Sequence, residues 1–266
     1  MQYNKIRLER HGAVALLTLD NPAQMNAVDQ QMGPQLAHAL QSVAADGDLR
    51  ALVLTGAGDV FCAGGNLRRA MQALAAGLTA GAGHVFLAYT AWVHQAVHLL
   101  LTMPQVVVAA VNGPTAGAGL AWLLASDLAV ADENARIRPG FLGVGLTPAG
   151  GVTHLLPQAL GPGRATQALM QNQDIDPRHA VALGLLNAVS PPGQALDMAM
   201  AMARQAAAGS AAALARTKAL LGHQRRQGLL AHMEQERQAT ATAADGPDFR
   251  RLVAKFFHKQ PASIGE

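Results

Sequence analysis

"VNGPTAGAGLAWLLASD", Val111 to Asp127, gathers three glycines and several alanines between an apolar run and a helix-like segment. Glycine loses the most backbone freedom on folding, so small residues collected here need a local reason. The preceding run, Val106 to Gly113, has the continuous apolar character of a buried strand. A helix is expected to leave from about Gly117. Its first amides have no partner inside the helix and carry the positive end of its dipole. Small residues before it let a ligand oxygen approach the backbone, a geometry that suits a phosphate or a developing oxyanion. The plainer alternative is close strand–helix packing. "TGAGDVFCAGGNL", Thr55 to Leu67, repeats the plan: strand, small residues, then a helix start near Asn66.

The flanking sequence reads as an α/β protein. "IRLERHGAVALLTLDN" forms two strands around a turn at His11-Gly12, and Ala51 to Gly56 forms a buried strand. Val28 to Gly47 has helical spacing, with Gly33-Pro34 set to break or kink its first turn. Leu128 to Ile137 reads as a strand, a turn holding an exposed Asp132 and Glu133, and the start of a second strand. Met71 to His84 has weaker periodicity and reads as a mobile loop or frayed helix. From Pro192 onward the chain is rich in alanine, leucine and methionine and reads as helical throughout. The expected division is therefore a core over 1–191 and a helical region over 192–266.

Composition narrows the function classes. The chain has 266 residues, 50% hydrophobic and 14% charged, as a globular protein does. Cys62 is the single cysteine, so neither an internal disulfide nor a cysteine-based metal cluster is available. The net charge is only +3, and Arg225-Arg226 and Arg250-Arg251 are short groups. With 4% aromatics, a nucleic-acid footprint gains little support. No secretory leader and no run of membrane-spanning length is read, so neither a membrane nor a nucleic acid is an expected partner and the expected location is cytoplasmic. Gly117-Ala-Gly119 lacks the third glycine of a dinucleotide fingerprint, and neither a phosphate loop nor a Gly-x-Ser-x-Gly elbow occurs.

Taken together, the two glycine-rich stretches resemble the crotonase family, the enoyl-CoA hydratase/isomerase superfamily. "LDNPAQMNAVD" is similar to its early loop, L-x-R-P-x-x-x-N-A-L. "ALVLTGAGDVFCAGGNL" resembles the segment ending F-x-A-G-x-D-L, and "VVVAAVNGPTAGAGLAWLLASDLAVA" the segment P-V-I-A-A-V-N-G-x-A-x-G-G-G. "GVGLTPAGGVTHLLPQALGPGRA" and "FRRLVAKFFHKQP" resemble the later segments, in the right order. The pattern is closest to the isomerase-type branch. The resemblance implies a spiral of ββα units, C-terminal helices that drive a homotrimer or hexamer, and an acyl-coenzyme A thioester as ligand, with no separate cofactor or metal. It implies that the amides of Gly65 and Ala118 hold the thioester oxygen. Ala27, Ala63 and Leu67 fall where the family contacts coenzyme A, and Lys255 and Phe256 near its nucleotide end.

The resemblance breaks where acid–base chemistry is expected. The hydratase glutamates align with Ala121 and Gly140, and the aspartate of one isomerase and dehalogenase group with Ala149, so all three acid positions are empty. Asn66 replaces a usual aspartate of structural character. His94 and His98 share a helix face with Thr90; they read either as a proton shuttle, carried by His94, or as a plain polar stripe. His154 and Asp127 read as structural. Two functions follow: an acyl-CoA enzyme working through an enolate without the usual carboxylates, or a binding protein that keeps the acyl-CoA pocket inside an enzyme assembly.

Overall fold

The computed structural model describes residues 2–76 and 81–259. Strands β1 (Ile6–His11) and β2 (Val14–Leu19) lead into helix α1 (Met32–Ala45) and strand β3 (Ala51–Gly56). Helices α2 (Leu67–Ala75) and α3 (Gly81–Thr102) follow, then strands β4 (Val106–Val111) and β5 (Thr115–Ala116) and helix α4 (Ala118–Ala125). Strands β6 (Leu128–Asp132) and β7 (Ile137–Arg138) precede α5 (Val152–Leu160), α6 (Pro162–Gln171) and α7 (Pro177–Ala182). Strand β8 (Ala188–Ser190) is followed by helices alone: α8 (Ala195–Ala207), α9 (Ala211–Arg226), α10 (Leu229–Asp245) and α11 (Pro247–Lys259).

Six strands form one sheet in the order β1-β2-β3-β4-β6-β8, antiparallel only between β1 and β2. β5 and β7 make a separate parallel pair. Both faces of the large sheet are covered, which is why its central strands are apolar without alternation. Leu52 and Leu54 enter the main core with α1 and α3, whereas Ala51 and Val53 pack under Ala199, Met200 and Ala203 of α8. Each buried leucine or valine contributes about 1.5–3 kcal/mol. The segment after β8 thus wraps the core: α8 closes the second face of the sheet and α10 lies along α3.

Four local readings are corrected. α1 starts at Met32, not Val28, because Asp29 Oδ1 accepts from the amides of Gln31 and Met32 and ends the preceding loop there; Gly33-Pro34 sits in the first turn. Met71–Ala75 is helical, as is Gly81–His84, where the Gly83 amide donates to Asp245 Oδ1 at 2.8 Å; residues 77–80 lie outside the described residues. Asp132 is buried, not in an exposed turn, and accepts from the Ser190 hydroxyl and the Gly193 and Ala195 amides. α3 is long and apolar enough by length and composition to cross a membrane, but it is packed among α1, α2, α4 and α10. Asp127 is structural as read: it pairs with buried Lys218 at 2.7 Å and accepts from the Val107 amide.

Candidate active site

The two glycine-rich stretches meet backbone to backbone. Gly64 and Gly117 both have positive φ, 100° and 54°, and a side chain on Gly117 would begin 3.1 Å from the Gly64 Cα. Only glycine permits both the angle and the approach. The early loop steadies this crossing. Buried Asn26, itself at φ 52°, donates to the Ala57 and Val60 carbonyls and accepts from the Asn21 amide. Val28 then bridges Gly65, donating to the Gly64 carbonyl and accepting from the Asn66 amide. Asn66 caps α2 through the Arg69 amide, so the family's aspartate position keeps a capping role here.

Most amides around the crossing are taken. Ala63 donates to Met25, Ala116 to Cys62, Gly117 to Pro139, and Gly64 to the Cys62 sulfur at 3.4 Å. Among the described residues, the amides of Gly65 and Ala118 have no main-chain acceptor. Both residues line one cavity of about 80 Å³. Ala118 is the first residue of α4, so its amide is one of the helix's orphan donors.

The remaining wall is apolar. Leu67, Phe86, Tyr89, Val93, Phe141, Val144, Leu146 and Ala149 contribute, with Thr90 and Thr240. A second cavity of about 100 Å³ adjoins it through the shared residues Ala63, Gly65 and Leu67, and is closed by Ala27, Arg68, Phe256 and Phe257. Arg68 stands 5.3 Å from the centre of the Phe257 ring, which joins α2 to α11 at that opening. Two larger grooves, about 750 and 710 Å³, include neither free amide.

The named site residues are therefore partly united. Gly65, Ala118, Ala63 and Leu67 converge on the first cavity, and Ala27 and Phe256 on the second; Lys255 is exposed and lines neither, while Phe257 does. Of the empty acid positions, Gly140 and Ala149 are in the first wall. Ala121 is not; its Cβ faces Gly150. Gly140 has φ 81°, and any side chain there would meet the Ala116 Cβ at 2.9 Å.

His94 lies outside the cavity wall, although its neighbours Thr90 and Val93 are in it. It sits in the field of Arg237 and Glu234 on α10, with Nε2 buried and unpartnered. Burial, helped by Arg237, pushes its pKa down from 6.5 to about 4. The imidazole is neutral at pH 7 and poorly placed to shuttle protons. His98 is exposed, and the His154 ring is engaged by the Arg225 carbonyl. A group whose pKa is depressed on folding binds fewer protons in the native state, so stability falls as pH drops from about 6.5 towards 4. Urea unfolding should show this loss, and His94→Leu should flatten the slope; an unchanged slope would contradict the assignment.

Tyr89, Thr240 and the Phe141–Leu146 wall were not anticipated from the sequence. Phe86, Tyr89, Thr90 and Val93 do repeat at helical spacing on one face of α3, which is a readable signal. Thr240 carries none: it reaches the wall by bonding Thr147, 93 positions away.

The family model for enoyl-CoA hydratase/isomerase matches residues 9–265. The chain belongs to the enoyl-CoA hydratase/isomerase family. It is 33% identical over 250 residues to a putative enoyl-CoA hydratase of Thermus thermophilus, covering 94% of this chain and 96% of that one. It is 30% identical to the 1,2-epoxyphenylacetyl-CoA isomerase of Escherichia coli, covering 93% of each. Among solved structures, an enoyl-CoA hydratase/isomerase from Mycobacterium paratuberculosis superposes with a TM-score of 0.85 at 28% identity, over 94% of this chain and 98% of that one. Family relatives thus include both hydratases and isomerases. Among the described residues, no group of three His, Cys, Asp or Glu side chains is placed to hold a metal ion.

Proposed function

We propose that the chain binds acyl-CoA thioesters and stabilises a thioester enolate with the amides of Gly65 and Ala118. The observation that carries this is the pairing pattern. These two amides are free of main-chain acceptors while the amides of Gly64, Asn66 and Gly117 beside them are bonded, and both border one apolar cavity. Two convergent donors in a desolvated site stabilise negative charge far better than water does. The adjoining cavity beside Ala27 and Phe256 takes the coenzyme A side. Hydration through two glutamates is disfavoured, because Ala121 and Gly140 stand at the two glutamate positions and offer no acid. An isomerase-type reaction on the enolate is favoured, and the alternative is a binding protein with little turnover. Exposed Leu220 and Leu221 on α9 and Leu230 on α10 support association into a homotrimer or hexamer.

Calorimetry with a panel of acyl-CoAs tests the reading. Binding in the micromolar range is expected, weakened by salt because the coenzyme A phosphates are anionic. Light scattering on the same sample should give a trimer or hexamer mass. No binding by any acyl-CoA would overturn the proposal.

A further inference from the structure

A buried carboxylate stands behind the cavity wall. Glu236, on α10, is 6% exposed. Its Oε2 accepts from the Gly151 amide at 2.6 Å, and its Oε1 from the Thr153 amide at 2.8 Å and from the Thr153 hydroxyl. His232 Nε2, one turn earlier on α10, meets the same hydroxyl at 2.7 Å. Gly151 is the N-cap of α5 and has no side chain with which to satisfy the first turn. Glu236 therefore caps α5 from another helix, 85 positions away, and its charge suits the positive end of that helix.

The cap is one half of a clamp. Thr240 follows Glu236 by one turn of α10, lines the cavity, and donates to the Thr147 carbonyl at 3.0 Å. The two side chains thus grip the chain on both sides of Ala149, at 147 and at 151–153, and Ala149 lies in the cavity wall. Between the grips, Gly150 and Gly151 both have φ 79°. A side chain on Gly150 would begin 2.8 Å from the Ala121 Cβ and 3.0 Å from Val93, and one on Gly151 would begin 3.0 Å from Leu229 of α10. Apolar contacts of this kind are non-directional and let a segment slide. Three hydrogen bonds to one carboxylate are directional and fix where the segment stops.

We propose that Glu236 is a positioning residue for the acyl cavity: by holding the Gly151 and Thr153 amides, it fixes the 147–153 segment so that Ala149 closes on the acyl chain. This rests on the acyl-CoA reading of the cavity. Glu236 acts through the segment and is not itself part of the wall. A wall set by hydrogen bonds behind it holds a tighter shape than one set by apolar contact alone. The effect should therefore fall on the packing of the acyl chain and spare the coenzyme A side, whose cavity beside Ala27 and Phe256 does not include this segment.

The test is calorimetry of acetyl-CoA and butyryl-CoA, which differ only by two methylenes. Burying both predicts a native preference for butyryl-CoA of about 15-fold. Glu236→Gln keeps the size of the side chain but has one acceptor oxygen for two amides. It should lower the preference by about fivefold and leave acetyl-CoA affinity nearly unchanged. His232→Ala leaves both amide bonds to Glu236 in place and should keep the native preference. A purely structural role would lower the urea midpoint of Glu236→Gln without changing the preference, and that result would overturn the proposal. So would an equal loss of preference in His232→Ala, or a native protein that binds both ligands alike. If Glu236→Gln does not fold, deuterium exchange of the native protein decides: at equal saturation, butyryl-CoA should slow the 147–153 amides more than acetyl-CoA does, with no such difference in α8. Equal protection of the segment by the two ligands would overturn the proposal. Failure of both ligands to bind the native protein would overturn the acyl-CoA reading and this proposal with it.

Discussion

Ala118→Pro is expected to slow exchange of the C2 protons of butyryl-CoA with deuterated water by about 10²–10³-fold, the loss of one oxyanion donor. The substitution removes the Ala118 N–H and puts the proline ring carbon Cδ in its place. Ala118 is the first residue of α4, a position where proline is favoured because its amide has no helical acceptor. The first helical bond of α4, from the Ala121 amide to the Gly117 carbonyl, does not involve the Ala118 amide. The restriction that proline places on its predecessor falls on Gly117, the residue type best able to bear it. Unfolding by urea should therefore change by no more than about 1 kcal/mol, the scale of an ordinary substitution. Affinity should fall along with turnover, since the ring Cδ intrudes on the space of the oxygen that the amide would hold. A variant that folds and exchanges protons at the native rate would remove Ala118 from the oxyanion role.

The crossing of the two glycine-rich stretches was legible in the sequence because it is fixed by short, local patterns. Gly64, Gly117 and the helix starts after them are each encoded within a dozen residues. Buried strands were legible for a similar reason: β3 and β4 are apolar on both faces because α8 covers one and α1 with α3 the other. What could not be read depends on distant partners. The start of α3 is held by Asp245, which accepts from the Gly83 amide 162 positions away, a partner that the weak periodicity of this stretch does not reveal. Asp132 looked like a turn residue because its partners, Ser190, Gly193 and Ala195, are some sixty positions on. His94 drew notice as a titratable group on a helix face near the site. Whether that face meets the cavity or α10 is set by a rotation of less than one residue spacing, and only the packing of α10 on α3 decides it.

Ala149→Asp is expected to raise the isomerisation of a 3-enoyl-CoA to its 2-enoyl isomer by about 10²–10⁴-fold, the usual contribution of a positioned acid–base group. The carboxylate would take a proton from C2, leave the enolate on the Gly65 and Ala118 amides, and return the proton at C4. Of the three empty acid positions, Ala149 is the one that can be filled. Gly140→Glu would strain a φ of 81° and press on Ala116, and a longer side chain at Ala121 would run into Gly150. Ala149 faces the cavity with Leu146 and Val144 nearby, surroundings that disfavour charge and lift a carboxylate pKa towards neutrality, where a general base is most effective. Buried Glu236, which accepts from the Gly151 amide two residues on, would lift it further. The native protein, with none of these acids, should hydrate crotonyl-CoA slowly or not at all. If the native protein hydrates crotonyl-CoA rapidly, a shuttle lies elsewhere in the wall. His94→Ala then decides whether a histidine outside the cavity serves, and the neutral, displaced imidazole predicts that its loss leaves the rate unchanged. If Ala149→Asp folds and binds acyl-CoA but gains no isomerisation, the enolate does not form beside residue 149, and the mapping of C2 onto that part of the wall is wrong.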